Sequence, residues 1–369
     1  MKETKLACGV RRRELRVRSN THPWSRFACP TATLLLGGLT VLAACRSAAD
    51  PVSNSAVRYE FESIHMAVPW RIVVYDLGGR DAASVRGDAE AAFREVARLE
   101  RILSDWDEDS ELSRLGAASE AGARTIDLSR DLAEVLSTAR ELASASDGAF
   151  DPSIGPLTKL WRKARRLGAL PTAEEIAAAR ARVGWQHFDV DRAAPRLRFT
   201  GPAQRFDLGG IAKGHALDAA LQVLRSRGLP HALVEAGGDI SCGAAPPGKS
   251  GWRIAQDHED GADASDLIVT HCGVATSGSR FQHIDVAGAR YSHILDPRRG
   301  FGLPDAAPTP SGARSAAAQI TIVATNACLA DGLATACSVL DDRAAEALLR
   351  RYGARRARAA ASKTSLTKQ

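Results

Sequence analysis

The amino-acid sequence predicts an α+β fold, with largely antiparallel sheets and packed helices. Two patterns carry that expectation. Helix-period apolar runs mark the first half, at 82–104 (Val85, Ala89, Ala92, Phe93, Val96, Leu99, Ile102) and 132–142 (Leu132, Val135, Leu136, Ala139, Leu142). After Gly228 and Pro230, short strand-like runs separated by turn residues outnumber helices. With 369 residues and 45% hydrophobic content, the chain has ample material for a core.

The N-terminus is basic: residues 1–26 hold eight Lys or Arg against Glu3 and Glu14, and an uncharged run at 27–45 ends in TLLLGGLTVLAAC. That pattern is an exported leader, and Leu42-Ala43-Ala44-Cys45 looks like a bacterial lipobox with Cys45 as the lipid-bearing residue. An uncleaved anchor and ordinary secretion are the alternatives. Pro30, Gly37-Gly38 and an apolar core shorter than the ~20 residues of a span argue against the anchor. Residues 1–44 are therefore read as a lipoprotein-type signal peptide and 45–60 as a polar tether, holding a periplasm-facing domain at the membrane of the bacterial envelope.

The leader carries the whole formal net charge of +6, and the basic tail at 350–369 is offset by an acidic body. The basic total is thus no footprint of nucleic-acid binding. Of seven cysteines, Cys242, Cys272, Cys328 and Cys337 lie in the body, with no C-x-x-C pair. Some could pair in an oxidising compartment, but the spacing gives no disulfide framework and small buried thiols are the default.

Residues 61–76, rich in Val, Ile and aromatics, read as one or two strands, with Met66 and Trp70 on or beside a sheet. The helix at 82–104 ends in LSDWDEDS, an acidic loop from which Trp106 projects to pack or stack. AFDPSIGPLTKLW, broken by Pro152, Gly155 and Pro156, is an irregular segment leading to a short helix. A helix at 173–182 and a hairpin in HFDVDRAAPRLRFT follow. HALVEAGGDISCG is a strand and glycine turn, with further strands at 252–256, 267–270, 273–277 and 283–286. The stretch between Arg299 and Gln319 is rich in Pro, Ala and Ser, and after Gly353 no closing strand is legible.

The chain is organised around FDLGGIAKGHALD, residues 206–218. Asp207, two glycines and Lys213 lead directly into a helix pattern. Glycines admit a ligand close to the backbone, and the free N–H groups of a helix start attract anions. It is neither a Walker loop, because Lys213 precedes Gly214, nor a G-x-G-x-x-G turn. A phosphate site and a plain strand-to-helix turn both fit. Further on, Asp331 and Thr335 are four apart in a helical stretch at 328–340 and face the same way. One carboxylate and one hydroxyl suit Mg²⁺, which keeps waters and takes ligands from phosphates; they also suit capping and packing. In YSHILDPRRG, His293 is a candidate base or phosphate partner, or a structural histidine.

DLGGIAKGHALD closely resembles the signature of the flavin transferase family, FAD:protein FMN transferases of the ApbE type. HMAVPW, LSDWDEDSELSRL, DGAFDPSIGPLTKLW, GSRFQHIDVAGARYSHILDPRRG and ACLADGLATA agree with it in the family's order, giving a domain at 61–352 followed by a basic tail at 353–369. The resemblance implies a T-fold-related fold with an FAD cleft. It places Met66 and Trp106 against the flavin nucleotide, Trp106 by stacking. Ala149, Phe150, Asp151, Asp207, Lys213 and Leu295 fall on FAD-contact positions. Asp331, Thr335 and a main-chain carbonyl, that of Gly210, match the Mg²⁺ ligands. Ala67-Val68 departs from the family's usual Gly-Thr.

The implied reaction is attack by a threonine hydroxyl of an acceptor protein on the FMN-side phosphorus of FAD, with AMP leaving. Lys213 and Asp331, with His293 as the candidate base read from the residues themselves, are taken as its catalytic set. Acceptors would be extracytoplasmic flavoprotein subunits of electron-transport complexes. Hydrolysis of FAD to FMN and AMP, and a flavin-binding lipoprotein without catalysis, are the other readings.

Overall fold

The computed structural model describes residues 56–255, 266–278, 283–286, 289–304 and 319–357. The leader, Cys45, most of the tether, most of the Pro/Ala/Ser-rich stretch and the end of the tail lie outside the described residues.

β1 (Val57–His65) and β2 (Val68–Asp76) form an antiparallel hairpin whose turn, Met66 and Ala67, adopts positive φ. The first strand begins inside the segment read as tether, and Tyr59 stacks on Phe61 along it. Met66 thus sits in the turn itself, with its N–H donating to Glu100 at 2.8 Å. Glu100 belongs to α1 (Ala82–Leu103), which Asp81 caps and whose apolar stripe from Val85 to Leu103 is buried as its spacing predicts.

α2 (Glu111–Glu120), capped by Ser110, was not legible in the sequence because Leu112 and Leu115 are its only large buried side chains. β3 (Thr125–Asp127), α3 (Arg130–Ala145), α4 (Gly155–Leu167) and α5 (Ala173–Arg180) follow. The expected hairpin is β4 (Phe188–Asp191) and β5 (Arg196–Phe199), which with β3 makes a small sheet in the order β3-β5-β4.

α6 (Ala212–Ser226) leads to β6 (Ala232–Ala236), β7 (Asp239–Cys242), the hairpin β8 (Trp252–Ile254) and β9 (Leu267–Val269), and β10 (Cys272–Ser277). β11 (His283–Val286), β12 (Ala289–Asp296) and β13 (Phe301–Pro304) form a separate three-stranded sheet. β14 (Ile320–Ala324), α7 (Ala327–Val339) and α8 (Asp342–Arg351) complete the body.

The main sheet runs β1-β2-β6-β7-β10-β14-β15 and is antiparallel at every junction. Its last strand, β15 (Arg355–Arg356), corrects the reading that no closing strand follows Gly353. Two arginines carry no strand signal of their own; the pairing is set by the neighbouring Ile322 and Val323. One face of the sheet buries Trp70, Ile72 and Val74 in a core shared with α1, α6 and α7. The other buries Val73, Leu233, Ile240 and Val274 beneath the β8–β9 hairpin. As expected, none of the four body cysteines is disulfide-bonded; Cys242, Cys328 and Cys337 are buried and Cys272 is half-buried.

Candidate active site

The Asp207–Lys213 turn is stitched to the segment after Phe150. The Asp207 N–H donates to the Pro152 carbonyl at 2.9 Å, and Ile154 bridges Arg205. The Asp207 carboxylate accepts the Gly209 N–H at 2.8 Å, so it supports the turn. A Cβ on Gly210 would lie 2.9 Å from the Thr335 hydroxyl oxygen and 3.3 Å from Phe150, so glycine is what lets the turn meet α7.

Helix α6 begins without a side-chain cap. The Gly214 N–H in its first turn donates to the Asp331 carboxylate at 3.1 Å, which places an acid where the helix dipole favours one. A Cβ on Gly214 would lie 2.2 Å from the Ala327 carbonyl oxygen, so α6 and α7 approach backbone to backbone there. Asp218 fixes the approach: its carboxylate accepts from the Ala327 and Cys328 N–H groups, both at 2.9 Å, and from the Ser241 hydroxyl at 2.7 Å.

Two buried carboxylates and one ammonium form the centre. Lys213 pairs with Asp239, which also accepts the Thr276 N–H at 3.0 Å. Burial opposes the Lys213 charge, but Asp239 and Asp331 outweigh it and hold the ammonium above its ordinary range. Burial pushes Asp239 up while Lys213 opposes the shift, and the pair is read as ionised because the two groups are in direct contact. Asp331 is pushed up to about 7 by burial and then by Asp239, and among the described residues it has no ion pair of its own. Adding a divalent cation would relieve that excess of negative charge. Among the described residues no three His, Cys, Asp or Glu side chains gather as a metal cage. Asp331, the Thr335 hydroxyl and the Gly210 carbonyl are a sparse, hard oxygen set, which fits an ion that keeps water and phosphate ligands.

A second group adjoins the turn through Asp207. Trp106 is 74% exposed, and one face of its ring is covered by the Arg162 guanidinium, 3.8 Å from the centroid. Arg162 also donates to Asp105 at 2.6 Å and lies 3.5 Å from Asp207. The ring is thus braced from α4 and tied to the turn, with its remaining surface open.

The other expected residues are distributed unevenly. Ala149, Phe150 and Asp151 are all buried. The Asp151 carboxylate is taken by the Ser153 N–H and hydroxyl and by the Trp185 N–H. Leu295 is buried against Trp161 and Leu157, whereas His293, two residues before it, is exposed. Met66 is half-buried on the main core. Gly210, Lys213, Asp331 and Thr335 therefore converge, and Trp106 joins them through Arg162 and Asp207. Sequence reasoning missed Asp239, Asp218 and Arg162. Asp239 directly follows Gly237-Gly238, as Asp207 closely precedes Gly209-Gly210, a repeat of acid beside a glycine pair that could have drawn notice.

A model of the ApbE family matches residues 66–358. The chain belongs to the ApbE family. It is 29% identical over 328 residues to the FAD:protein FMN transferase of Klebsiella pneumoniae (strain 342), covering 86% of this chain and 89% of that protein. The FAD:protein FMN transferase of Treponema pallidum (strain Nichols) is 30% identical over 298 residues, covering 76% and 78%. Among solved structures, the apo form of the Pseudomonas stutzeri flavinyl transferase ApbE superposes with a TM-score of 0.67 at 29% identity, covering 81% of this chain and 90% of that one. The ApbE fold accounts for the mixed helices and antiparallel sheets, in agreement with the α+β expectation.

Proposed function

We propose that this ApbE-family protein transfers FMN from FAD to a threonine hydroxyl of an acceptor protein, releasing AMP. The observation that carries the reading is the convergence of Gly210, Thr335, Asp331 and the Lys213–Asp239 pair at the uncapped start of α6. Mg²⁺ held by Asp331, Thr335 and the Gly210 carbonyl would supply charge neutralisation to the pyrophosphate. The protein's own residues bind and orient. Helix α6 turns its N-terminus toward the anion, Lys213 is aimed by Asp239, and Trp106 offers an open ring surface to the flavin.

In the chemical step the threonine oxygen bonds to the FMN-side phosphorus as the bond to AMP breaks. The hydroxyl proton needs an acceptor, and His293, exposed on β12, is assigned that role. The acceptors are extracytoplasmic flavoprotein subunits of electron-transport complexes, reached from a membrane position that the lipobox at Cys45 supports.

The test is intact-mass spectrometry of an acceptor subunit bearing the threonine motif after incubation with protein, FAD and Mg²⁺. A gain equal to FMN less water supports transfer. Free FMN and AMP without that gain would make the protein a hydrolase, and unchanged FAD a binding protein. Trp106→Ala should raise the KM for FAD about tenfold, the scale of one lost aromatic stack, with Tm unchanged because the ring is exposed. An unchanged KM would remove Trp106 from the flavin site.

A further inference from the structure

The sequence spacing offers no disulfide framework, yet the fold brings two of the body thiols together. Cys242 and Cys272 are direct cross-strand partners in the β7–β10 ladder, and their sulfurs are 3.7 Å apart. In the adjoining pair the His271 N–H donates to the Gly243 carbonyl at 3.0 Å. Hydrogen-bonded and non-hydrogen-bonded pairs alternate along an antiparallel ladder, so the cysteines occupy the non-hydrogen-bonded kind, where facing side chains approach most closely. Cys242 is buried beneath the β8–β9 hairpin, and Cys272 is half-buried, so one sulfur of the pair is reachable from solvent. Cys328 and Cys337 are both buried on α7.

We propose that Cys242 and Cys272 are a modification site, oxidised to a disulfide across β7 and β10 by a disulfide-containing oxidant. The accessible Cys272 thiolate attacks one sulfur of the oxidant, forming a mixed disulfide and releasing one oxidant thiolate. The Cys242 thiolate then attacks the Cys272 sulfur and displaces the second oxidant thiolate. Two S–H bonds and the oxidant S–S bond are lost, one new S–S bond forms, and the two electrons and two protons from the cysteines end on the oxidant as two thiols. The bond closes a loop that contains the β8–β9 hairpin. It also fastens the ladder that continues through Ile240 and Val274 to the contact of Asp239 with the Thr276 N–H.

The full chain would be incubated with oxidised glutathione, alkylated in denaturant, digested without reduction and mapped by mass. The expected product is a peptide pair joined through Cys242 and Cys272, with a mass loss of ~2 Da relative to the dithiol. Dithiothreitol should remove the link and lower Tm by about 5 °C, the scale for a loop of this size. Cys272→Ser should abolish both the link and the dithiothreitol-dependent change in Tm. Alkylation of both sulfurs, a persistent glutathione adduct on Cys272, or a link from either one to another cysteine would overturn the proposal.

Discussion

Asp331→Asn is expected to lower flavin transfer on the order of 10³-fold while leaving the protein folded. The asparagine oxygen can still accept the Gly214 N–H, so the α6–α7 contact survives and only the charge is lost. The loss of charge should also appear in the pH dependence. The folded-state pKa of Asp331 is raised to about 7, above that of an ordinary carboxyl. Between about pH 4 and about pH 7 the unfolded chain is ionised there and the folded chain is not. Stability therefore falls as pH rises through that window, and the penalty is complete above it. The asparagine variant should lose this component of the slope in urea unfolding. Binding of Mg²⁺ to the wild type should weaken as pH drops below about 7, because the cation must displace the proton, whereas the variant should bind weakly throughout. Full Mg²⁺-dependent transfer by Asp331→Asn would remove Asp331 from the metal site.

Lys213→Met should cost about 3–5 kcal/mol of stability and abolish transfer, because it leaves Asp239 buried without its cation. Methionine keeps the apolar stem of the side chain, so the effect is one of charge rather than volume. Pairing it with Asp239→Asn should restore most of the stability and none of the activity. That split, read by urea unfolding and by acceptor mass, separates a purely structural ion pair from a lysine that acts on pyrophosphate. Recovery of transfer in the double variant would show that the lysine only keeps Asp239 satisfied.

Much of this site was legible because its parts are short-range. Asp331 and Thr335 need only a helix to share a face, and the glycine turn with Lys213 is contiguous. Trp106 stood out as a large ring in an acidic loop. What was not legible depends on tertiary contact. Asp239 reaches Lys213 from a neighbouring strand, Arg162 reaches Trp106 from α4, and Asp218 caps a helix more than a hundred positions away. The same applies to β15, where pairing rather than propensity makes a strand of Arg355 and Arg356. Leu295 and Asp151, both expected at a ligand, are buried, Leu295 against Trp161 and Asp151 within local hydrogen bonds.

The pairing of β2 with β6 governs how the chain must assemble. Arg71 and Glu235, 164 residues apart, lie side by side in that pairing. During synthesis the β1–β2 hairpin emerges long before the strand that covers its inner edge, and the intervening chain forms α1 to α6. An isolated hairpin is at best marginal in water, so the first strands wait as an open, pairing-competent edge until β6 arrives. Closing so large a loop makes this step slow relative to helix formation. The central sheet therefore cannot be completed before β6 is made, and the turn leading into α6 gains its contact between Lys213 and Asp239 only once β7 has joined that strand.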